Sequence, residues 1–257
     1  MSGSGRIGWT TWDLRAFGRA AGVALLTLVL AWLVTAATDE GGVSWGERAG
    51  RTLPLTPLCA AVGTWVALAP ARSRGEARAL AALGRSKVGV GGAAVAGAAG
   101  IALAAALLLG IVRAVDLTGF YPTATHASAW RFDAGAFLDA ARGLRVTADG
   151  TPEHVEALAG AVFASGLPRF ARLAAATTTA LAGLALPLLL AHALLGRAQD
   201  ARFDRADVRV AAGAAVAVAA SIVLFQAAAA RVLPPMLAPL PALALLAFAV
   251  GRYRVAP

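Results

Sequence analysis

Six stretches of the chain, each about 19 to 25 residues long, contain no Asp, Glu, Lys or Arg. They run Ala20–Thr38, Thr52–Ala71, Val88–Val112, Leu173–Gly196, Val210–Ala230 and Val232–Gly251. A helix needs about 20 apolar residues to cross a hydrocarbon core of about 30 Å. Lipid offers no hydrogen bonds, so such a run must satisfy its own backbone as a helix. The pattern therefore predicts an all-α membrane protein with six transmembrane helices.

Composition and charge placement agree with this prediction. The hydrophobic fraction of 59% excludes an ordinary soluble domain. The net charge of +9 lies in alternate connections: residues 1–19, 72–87, 197–209 and the C-terminal residues after Gly251. By the positive-inside rule these connections are predicted to be cytoplasmic, which places residues 113–172 outside. Because the basic charge accounts for topology, we expect no nucleic-acid partner, and we expect a multi-pass membrane protein with both termini cytoplasmic.

The predicted spans divide the chain into three parts. Residues 1–112 hold an N-terminal interface helix, transmembrane helices 1–3 and a cytoplasmic loop. Residues 113–172 form a small extracytoplasmic insert between helices 3 and 4, and residues 173–257 hold transmembrane helices 4–6. The interface helix is predicted at Trp9–Gly18, where Trp9, Trp12 and Phe17 share one helical face. The alternative for this segment is a disordered leader.

Two spans carry features that bear on helix packing. The third span has Gly92, Ala96 and Gly100 at four-residue intervals, a small-residue stripe that permits close contact with another helix. The sixth predicted span begins at Val232 and contains four prolines, which remove hydrogen-bond donors and bend a helix.

The insert is predicted to form a small, partly helical cap. Leu144–Thr147 has the character of a short strand, and Ala148–Thr151 reads as a turn. We expect Thr151 to cap a helix with Pro152 at its first position. The apolar spacing of Val155, Leu158, Val162 and Phe163 gives that helix one apolar face, and Trp130, Phe132, Phe137 and Leu138 are the expected core.

No pattern in the chain indicates catalysis, a cofactor or a metal site. The single Lys, Lys87, fits no phosphate-binding loop, so any ATP hydrolysis is expected on a partner chain. Glu153, His154 and Glu156 have poor spacing for metal ligands and are interpreted as a solvated face. His192 lies within the fourth span and is a functional candidate by position, although we favour a structural role.

The loop between the second and third spans, Arg72–Ser86, has the sharpest local pattern. After Gly75 it predicts a short amphipathic helix with Leu80 and Leu83 on one face and Glu76 and Arg78 polar, and Gly84 is the expected helix stop. An exposed helix between two spans can be pushed by a soluble partner. The alternative is an ordinary positively charged loop.

This loop, R-x-R-G-E-x-R-A-L-x-A-L-G-R-S, resembles the coupling helix of the LptF/LptG permeases, the membrane subunits of the lipopolysaccharide-export ABC transporter. The segment from Leu53 to Leu58 and the last span, with its L-P-P-x-L-A opening at Leu233, resemble the same family. The order of six spans with an outer domain between the third and fourth is also similar. The family's outer domain is a larger β-jellyroll, for which the insert here is too short.

The resemblance implies a permease subunit that exports lipid or lipopolysaccharide and is driven by a separate ATPase dimer. The implied ATPase-coupling residues are Arg74, Glu76, Arg78, Leu80, Leu83 and Gly84. The implied partners are a second permease subunit (a copy or a homologue), the lipid cargo and a periplasmic bridge protein. Two alternatives stay open, an ABC-2-type export permease and a non-transporting membrane scaffold.

Overall fold

The computed structural model describes residues 9–38, 43–117, 119–121, 130–133, 135–139, 144–154, 167–195 and 205–255. Within these residues, six helical segments are long and apolar enough to cross a membrane. The prediction of a helical, multi-pass membrane protein is therefore confirmed. The α-helices are α1 (Thr11–Thr38), α2 (Trp45–Thr52), α3 (Thr56–Ser73), α4 (Glu76–Ala82), α5 (Lys87–Ile111), α6 (Ala171–Leu195), α7 (Arg205–Ala229) and α8 (Leu240–Val255).

Four of these helices, α1, α3, α5 and α6, pack against one another as the core of the bundle. Helix α8 packs on α6, and α7 lies outside, mainly against α8. Because successive long helices run in opposite directions, the N-terminus of α1, helix α4 and the C-terminus of α8 lie at one end, called the α4 end. The described residues between 112 and 170 lie at the other, called the insert end.

Small residues allow the core helices to approach closely. A Cβ added to Gly63 of α3 would overlap the Ala20 carbonyl oxygen of α1, and one added to Gly97 of α5 would overlap the Phe17 carbonyl oxygen. Gly183 of α6 meets the Ala102 side chain of α5 in the same way. Buried alanines fill most of the space between these contacts. The core therefore depends on backbone proximity more than on large side chains.

The small-residue stripe on α5, predicted to permit close helix contact, does not lie at a close helix contact within the described chain. Space is open around Gly92 and Gly100, and Ala96 is exposed. The contact with α1 is made by Gly97, one position away from the stripe. A stripe in an Ala-rich helix does not by itself reveal which face packs, because small residues occur on every face.

The separate interface helix predicted at Trp9–Gly18 is wrong. Helix α1 is continuous from Thr11, so this segment is the first part of the first spanning helix. Trp9 and Phe17 do lie together, with their rings edge to face at 5.4 Å. No proline lies within α1 to break it, so the helix continues without interruption.

The last span differs from its predicted bounds. Helix α8 begins only at Leu240, after a short 3-10 helix at Pro235–Leu237. Pro234, Pro235 and Pro239 have no backbone N–H to donate to a preceding turn, so the regular helix starts beyond them. The apolar run that starts at Val232 thus enters the bundle as a turn and a 3-10 helix.

Helix α2 forms a compact layer with residues 112–117 and 119–121 at the insert end. The backbone of this segment lies directly on Gly46 and Gly50 of α2, where an added Cβ would overlap the carbonyl oxygens of Ala114 and Asp116. The Asp116 N–H donates a hydrogen bond to the Gly46 carbonyl at 3.0 Å. Glycine is required at both α2 positions because the two backbones touch.

A charged side chain from α6 holds the end of α5 beneath this layer. The Arg172 guanidinium donates hydrogen bonds of 2.8–3.3 Å to the carbonyl oxygens of Leu109, Val112, Arg113 and Val115. Carbonyls at a helix C-terminus have no partner within the helix, and a cation there is also favoured by the helix dipole. Arg172 thus connects α6 to the C-terminus of α5.

Aromatic side chains complete the same layer. The buried Tyr121 hydroxyl donates to the Ala171 carbonyl at 3.2 Å. The rings of Phe120 and Tyr121 both lie edge to face with Phe225 of α7, at 5.0 and 5.2 Å between ring centres. This cluster attaches the insert end of α7 to the core.

The insert contains a four-stranded antiparallel sheet in which consecutive strands are neighbours. Its strands are β1 (Trp130–Asp133), β2 (Ala136–Asp139), β3 (Leu144–Val146) and β4 (Pro152–His154). The predicted strand near Leu144 and the turn that follows it are confirmed. Gly150 has a φ of 82°, and the Thr147 N–H donates to the Thr151 carbonyl across this turn.

The helix start predicted at Thr151 and Pro152 is wrong, because Pro152–His154 is strand β4. A proline is also tolerated as the first residue of a strand at a sheet edge, so the same residues suit either element. The apolar positions at Val155, Leu158, Val162 and Phe163 lie outside the described residues. Phe137, expected in the core of the insert, is half exposed.

Candidate functional site: the connecting helix α4

Helix α4 connects α3 to α5 and is bracketed by two glycines in the left-handed conformation. Gly75 precedes it with a φ of 75°, and Gly84 follows it with a φ of 84°. The Gly84 N–H donates to the Ala81 carbonyl and the Arg85 N–H to the Leu80 carbonyl, at 2.9 and 3.1 Å. These two bonds form a Schellman motif, which ends a helix at a defined residue. The predicted helix and its stop at Gly84 are confirmed.

The structure places all six predicted coupling residues on or beside this helix. They are Arg74, Glu76, Arg78, Leu80, Leu83 and Gly84. None of the residues of α4 is buried. The side chain of Leu83 is 81% exposed, whereas Leu80 is half-buried. An apolar side chain this exposed at the end of the bundle is available to a partner or to the membrane surface.

An ion pair between two of the predicted residues is long and exposed. Arg74 and Glu76 lie 3.8 Å apart, with side chains 70% and 45% exposed. Such pairs contribute between about 0 and 1 kcal/mol to stability. The charged side chains of this pair are therefore accessible from outside the bundle, and their ion pair contributes little to the stability of the fold.

Helix α5 begins at Lys87, three residues after Gly84. The Ser86 hydroxyl accepts a hydrogen bond from the Gly89 N–H at 3.1 Å and so caps the N-terminus of α5. Only Arg85 stands between the stop of one helix and the cap of the next. With both ends of this connection hydrogen-bonded, little freedom is left for α4 to rotate independently of α5.

Arg85 attaches this connection to the first helix. Its guanidinium Nη2 lies 2.7 and 2.8 Å from the two carboxylate oxygens of Asp13. The Asp13 side chain is 9% exposed and that of Arg85 27% exposed, so solvent screens the pair only weakly. The guanidinium also lies 5.9 Å from the centre of the Trp12 ring. The pair joins residues that are 72 positions apart in the chain.

Asp13 has a second role as a cap of α1. The Thr10 N–H and hydroxyl both donate to one carboxylate oxygen of Asp13, at 2.9 and 2.7 Å, and the Asp13 N–H donates back to the Thr10 hydroxyl. This reciprocal arrangement is a capping box. One carboxylate therefore fixes both the start of α1 and the position of Arg85.

Sequence reasoning missed Asp13 and Arg85 as parts of the site. The spacing Thr10-x-x-Asp13 before an apolar run is a readable signal for a helix start. The partner of Asp13 had no such signal, because the four arginines of the loop are equivalent in sequence. Arg85 differs from the other three by its place between the stop of α4 and the cap of α5.

The chain matches no protein-family model and no curated protein. Among the described residues, no group of three or more His, Cys, Asp and Glu side chains is arranged to hold a metal ion. His192 lies on α6 near the α4 end.

Proposed function

We propose that the chain is a permease subunit of an ABC transporter that exports lipid or lipopolysaccharide from a bacterial inner membrane, with ATP hydrolysis on a separate partner chain. In this proposal α4 is the coupling helix. The α4 end faces the cytoplasm, as its basic connections suggest. The insert end faces outward, toward a periplasmic bridge protein.

The observation that carries the proposal is that α4 is exposed and yet firmly attached. None of its residues is buried, so an ATPase can reach it. Its chain neighbours α3 and α5 are core helices, and Arg85 extends the attachment to α1 through Asp13. A push on α4 therefore reaches three of the four core helices directly. A flexible surface loop would absorb the same push.

The position of the insert favours this class over an ABC-2-type export permease. ABC-2-type permeases usually carry outer elements between the fifth and sixth spans. Here α7 and α8 are joined at the insert end by residues 230–239, a short turn and a 3-10 helix. The extended connection, with its four-stranded sheet, lies between α5 and α6, the third and fourth spans.

The surfaces of α1 and α7 leave room for the other proposed components. Both helices are largely exposed along their apolar windows, in contrast to α3 and α5. In the transporter these faces would line the lipid path or contact the second permease subunit. ATP-driven closure of two such subunits would expel the lipid outward.

Reversal of charge at Glu76 tests the proposal. The chain is tagged and purified from its own membranes in mild detergent, and copurified ATPase activity and lipid transport in vesicles are measured. Glu76→Lys is expected to lose both copurified activity and transport while the chain still inserts, because Glu76 is outside the bundle. Glu47→Lys, a charge reversal on α2 at the other end, is the matched control and should retain both.

A second variant addresses the exposed leucine. Leu83→Asn removes an apolar contact without changing charge, and it should weaken ATPase binding because burial of a Leu side chain in an interface is favourable. If the wild-type chain copurifies with no ATPase, the scaffold alternative takes precedence. Unchanged binding and transport in both Glu76→Lys and Leu83→Asn would refute the role of α4.

A further inference from the structure

An open groove with a volume of about 600 Å³ runs between α7 and α8. Its walls are nearly all apolar, and its two polar side chains are arginines. The lining residues include Arg209, Gly213 and Ala220 of α7 and Pro241, Phe248 and Arg252 of α8. The helix α4 and the connections around it take no part in this groove.

Both arginines lie at the same end of the groove. Arg209 is near the start of α7 and Arg252 near the end of α8, and both positions are at the α4 end. The Arg252 guanidinium lies 5.5 Å from the centre of the Phe248 ring. In the described part of the chain, neither guanidinium forms an ion pair with a carboxylate. Two cations thus stand at one end of an apolar channel.

The length of the groove matches one leaflet of a bilayer. From Arg209 to Ala220, and likewise from Pro241 to Arg252, a helix rises about 16 Å at 1.5 Å per residue. Half of a hydrocarbon core of about 30 Å is about 15 Å. With the arginines at the level of the headgroups, the groove ends close to the middle of the membrane.

We propose that this groove binds an anionic phospholipid from the leaflet at the α4 end. One acyl chain lies along the apolar wall, and the headgroup phosphate is held between Arg209 and Arg252. Guanidinium groups form strong, charge-assisted hydrogen bonds with phosphate oxygens. The site requires only that the bundle spans a membrane, so it can exist whether or not the chain is a permease.

Stabilisation by added lipid tests the site. The purified chain is placed in a neutral detergent, and its unfolding temperature is followed as phosphatidylglycerol or phosphatidylcholine is titrated in. Phosphatidylglycerol is expected to raise the unfolding temperature at lower concentration than phosphatidylcholine. The double variant R209Q/R252Q should weaken the apparent affinity for phosphatidylglycerol about tenfold or more and abolish this preference.

A matched control separates the groove from general surface charge. R15Q/R19Q removes two exposed arginines from α1 at the same end of the bundle, and it should retain the preference for the anionic lipid. If R15Q/R19Q lost the preference for the anionic lipid to the same extent as R209Q/R252Q, the proposal would be overturned. So would equal stabilisation by the two lipids in the wild-type chain.

A second variant tests the apolar wall and does not depend on the arginines. Space is open around Gly213, so Gly213→Leu fills the groove without a clash. It should weaken the binding of phosphatidylglycerol, whereas Gly22→Leu, at an equally open position on α1, should not. Normal lipid binding by Gly213→Leu would exclude an acyl chain in the groove, even if R209Q/R252Q failed to fold.

Discussion

Replacement of Asp13 by Asn should loosen the attachment of the α4–α5 connection to α1. Asn keeps the size of the side chain and can still accept from Thr10, so the capping of α1 is largely retained. The lost interaction is the charge-assisted contact with Arg85, in which one guanidinium nitrogen lies within 2.8 Å of both carboxylate oxygens. Hydrogen bonds to charged groups contribute about 1.5–3 kcal/mol.

The burial of the pair sets the expected magnitude. Breaking a fully buried ion pair costs about 3–5 kcal/mol, whereas exposed pairs contribute about 0–1 kcal/mol. With Asp13 at 9% and Arg85 at 27% exposure, this pair lies between these limits. We expect a coupling free energy of about 2 kcal/mol, which is about a 30-fold change in the unfolding equilibrium constant.

A double-mutant cycle measures this value. Asp13→Asn, Arg85→Gln and the double variant are unfolded by denaturant in detergent, and the coupling free energy is the departure from additivity. The control cycle uses Glu47 and Arg51, whose charged atoms are also close, at 2.6 Å, but whose side chains are 35% and 44% exposed. Its coupling should be about 0.3–0.5 kcal/mol. Similar values in the two cycles would refute the argument from burial.

Motion of α4 supplies an independent readout. Spin labels at Leu14 and Arg78, both exposed, report the distance between α1 and α4. The distance distribution should broaden in Asp13→Asn and in Arg85→Gln. An unchanged distribution would mean that the Schellman motif and the cap of α5 position α4 without the ion pair.

The remaining predictions concern packing, the insert end and topology. Gly97→Ala should lower the free energy of unfolding by about 1–3 kcal/mol because its Cβ overlaps the backbone of α1, whereas Gly92→Ala, where space is open, should not destabilise; denaturant unfolding in detergent compares the two. Arg172→Met removes four hydrogen bonds to the end of α5 and should increase amide exchange there, measured by mass spectrometry, while Met keeps much of the apolar stem in place. Single cysteines at Ser73 and Ala148, both exposed, should be labelled from opposite sides of the membrane; labelling from one side would contradict the six-span topology.

The spanning helices could be predicted from the sequence because lipid imposes one solution on a long uncharged run. The bounds of α4 could also be predicted, since Gly75 and Gly84 act through local turn geometry. Local sequence signals gave wrong predictions where the same residues are compatible with two structures. Thr151 and Pro152 are compatible with the start of a helix, but here Pro152 begins strand β4. The last span was predicted to start at Val232, whereas α8 begins at Leu240. Apolar composition alone does not show that the regular helix begins only after Pro239.

The contacts that position the candidate site could not be predicted, because they join distant parts of the chain. Arg85 reaches Asp13 across 72 positions, and Arg172 reaches the Leu109 carbonyl across 63. Nothing in the composition of either segment distinguishes these arginines from their neighbours. Their roles follow from where the folded helices end, since each lies beside a helix terminus that it helps to hold.

These two arginines together hold α5 at both ends. Arg85 connects the start of α5 to α1, and Arg172 connects its C-terminus to α6. Because glycines bring α1, α3, α5 and α6 into close contact between these points, we expect the four helices to move as one body. Within the described chain, helix α7 has no such hydrogen-bonded attachment at the α4 end. Its main contacts are with α8, Val210 and Ala214 pack there only as partly buried apolar side chains against α6 and α8, and its aromatic contact through Phe225 is at the insert end. A force applied to α4 would therefore displace the four-helix core relative to α7, and the groove between α7 and α8 lies beside the boundary where that displacement occurs.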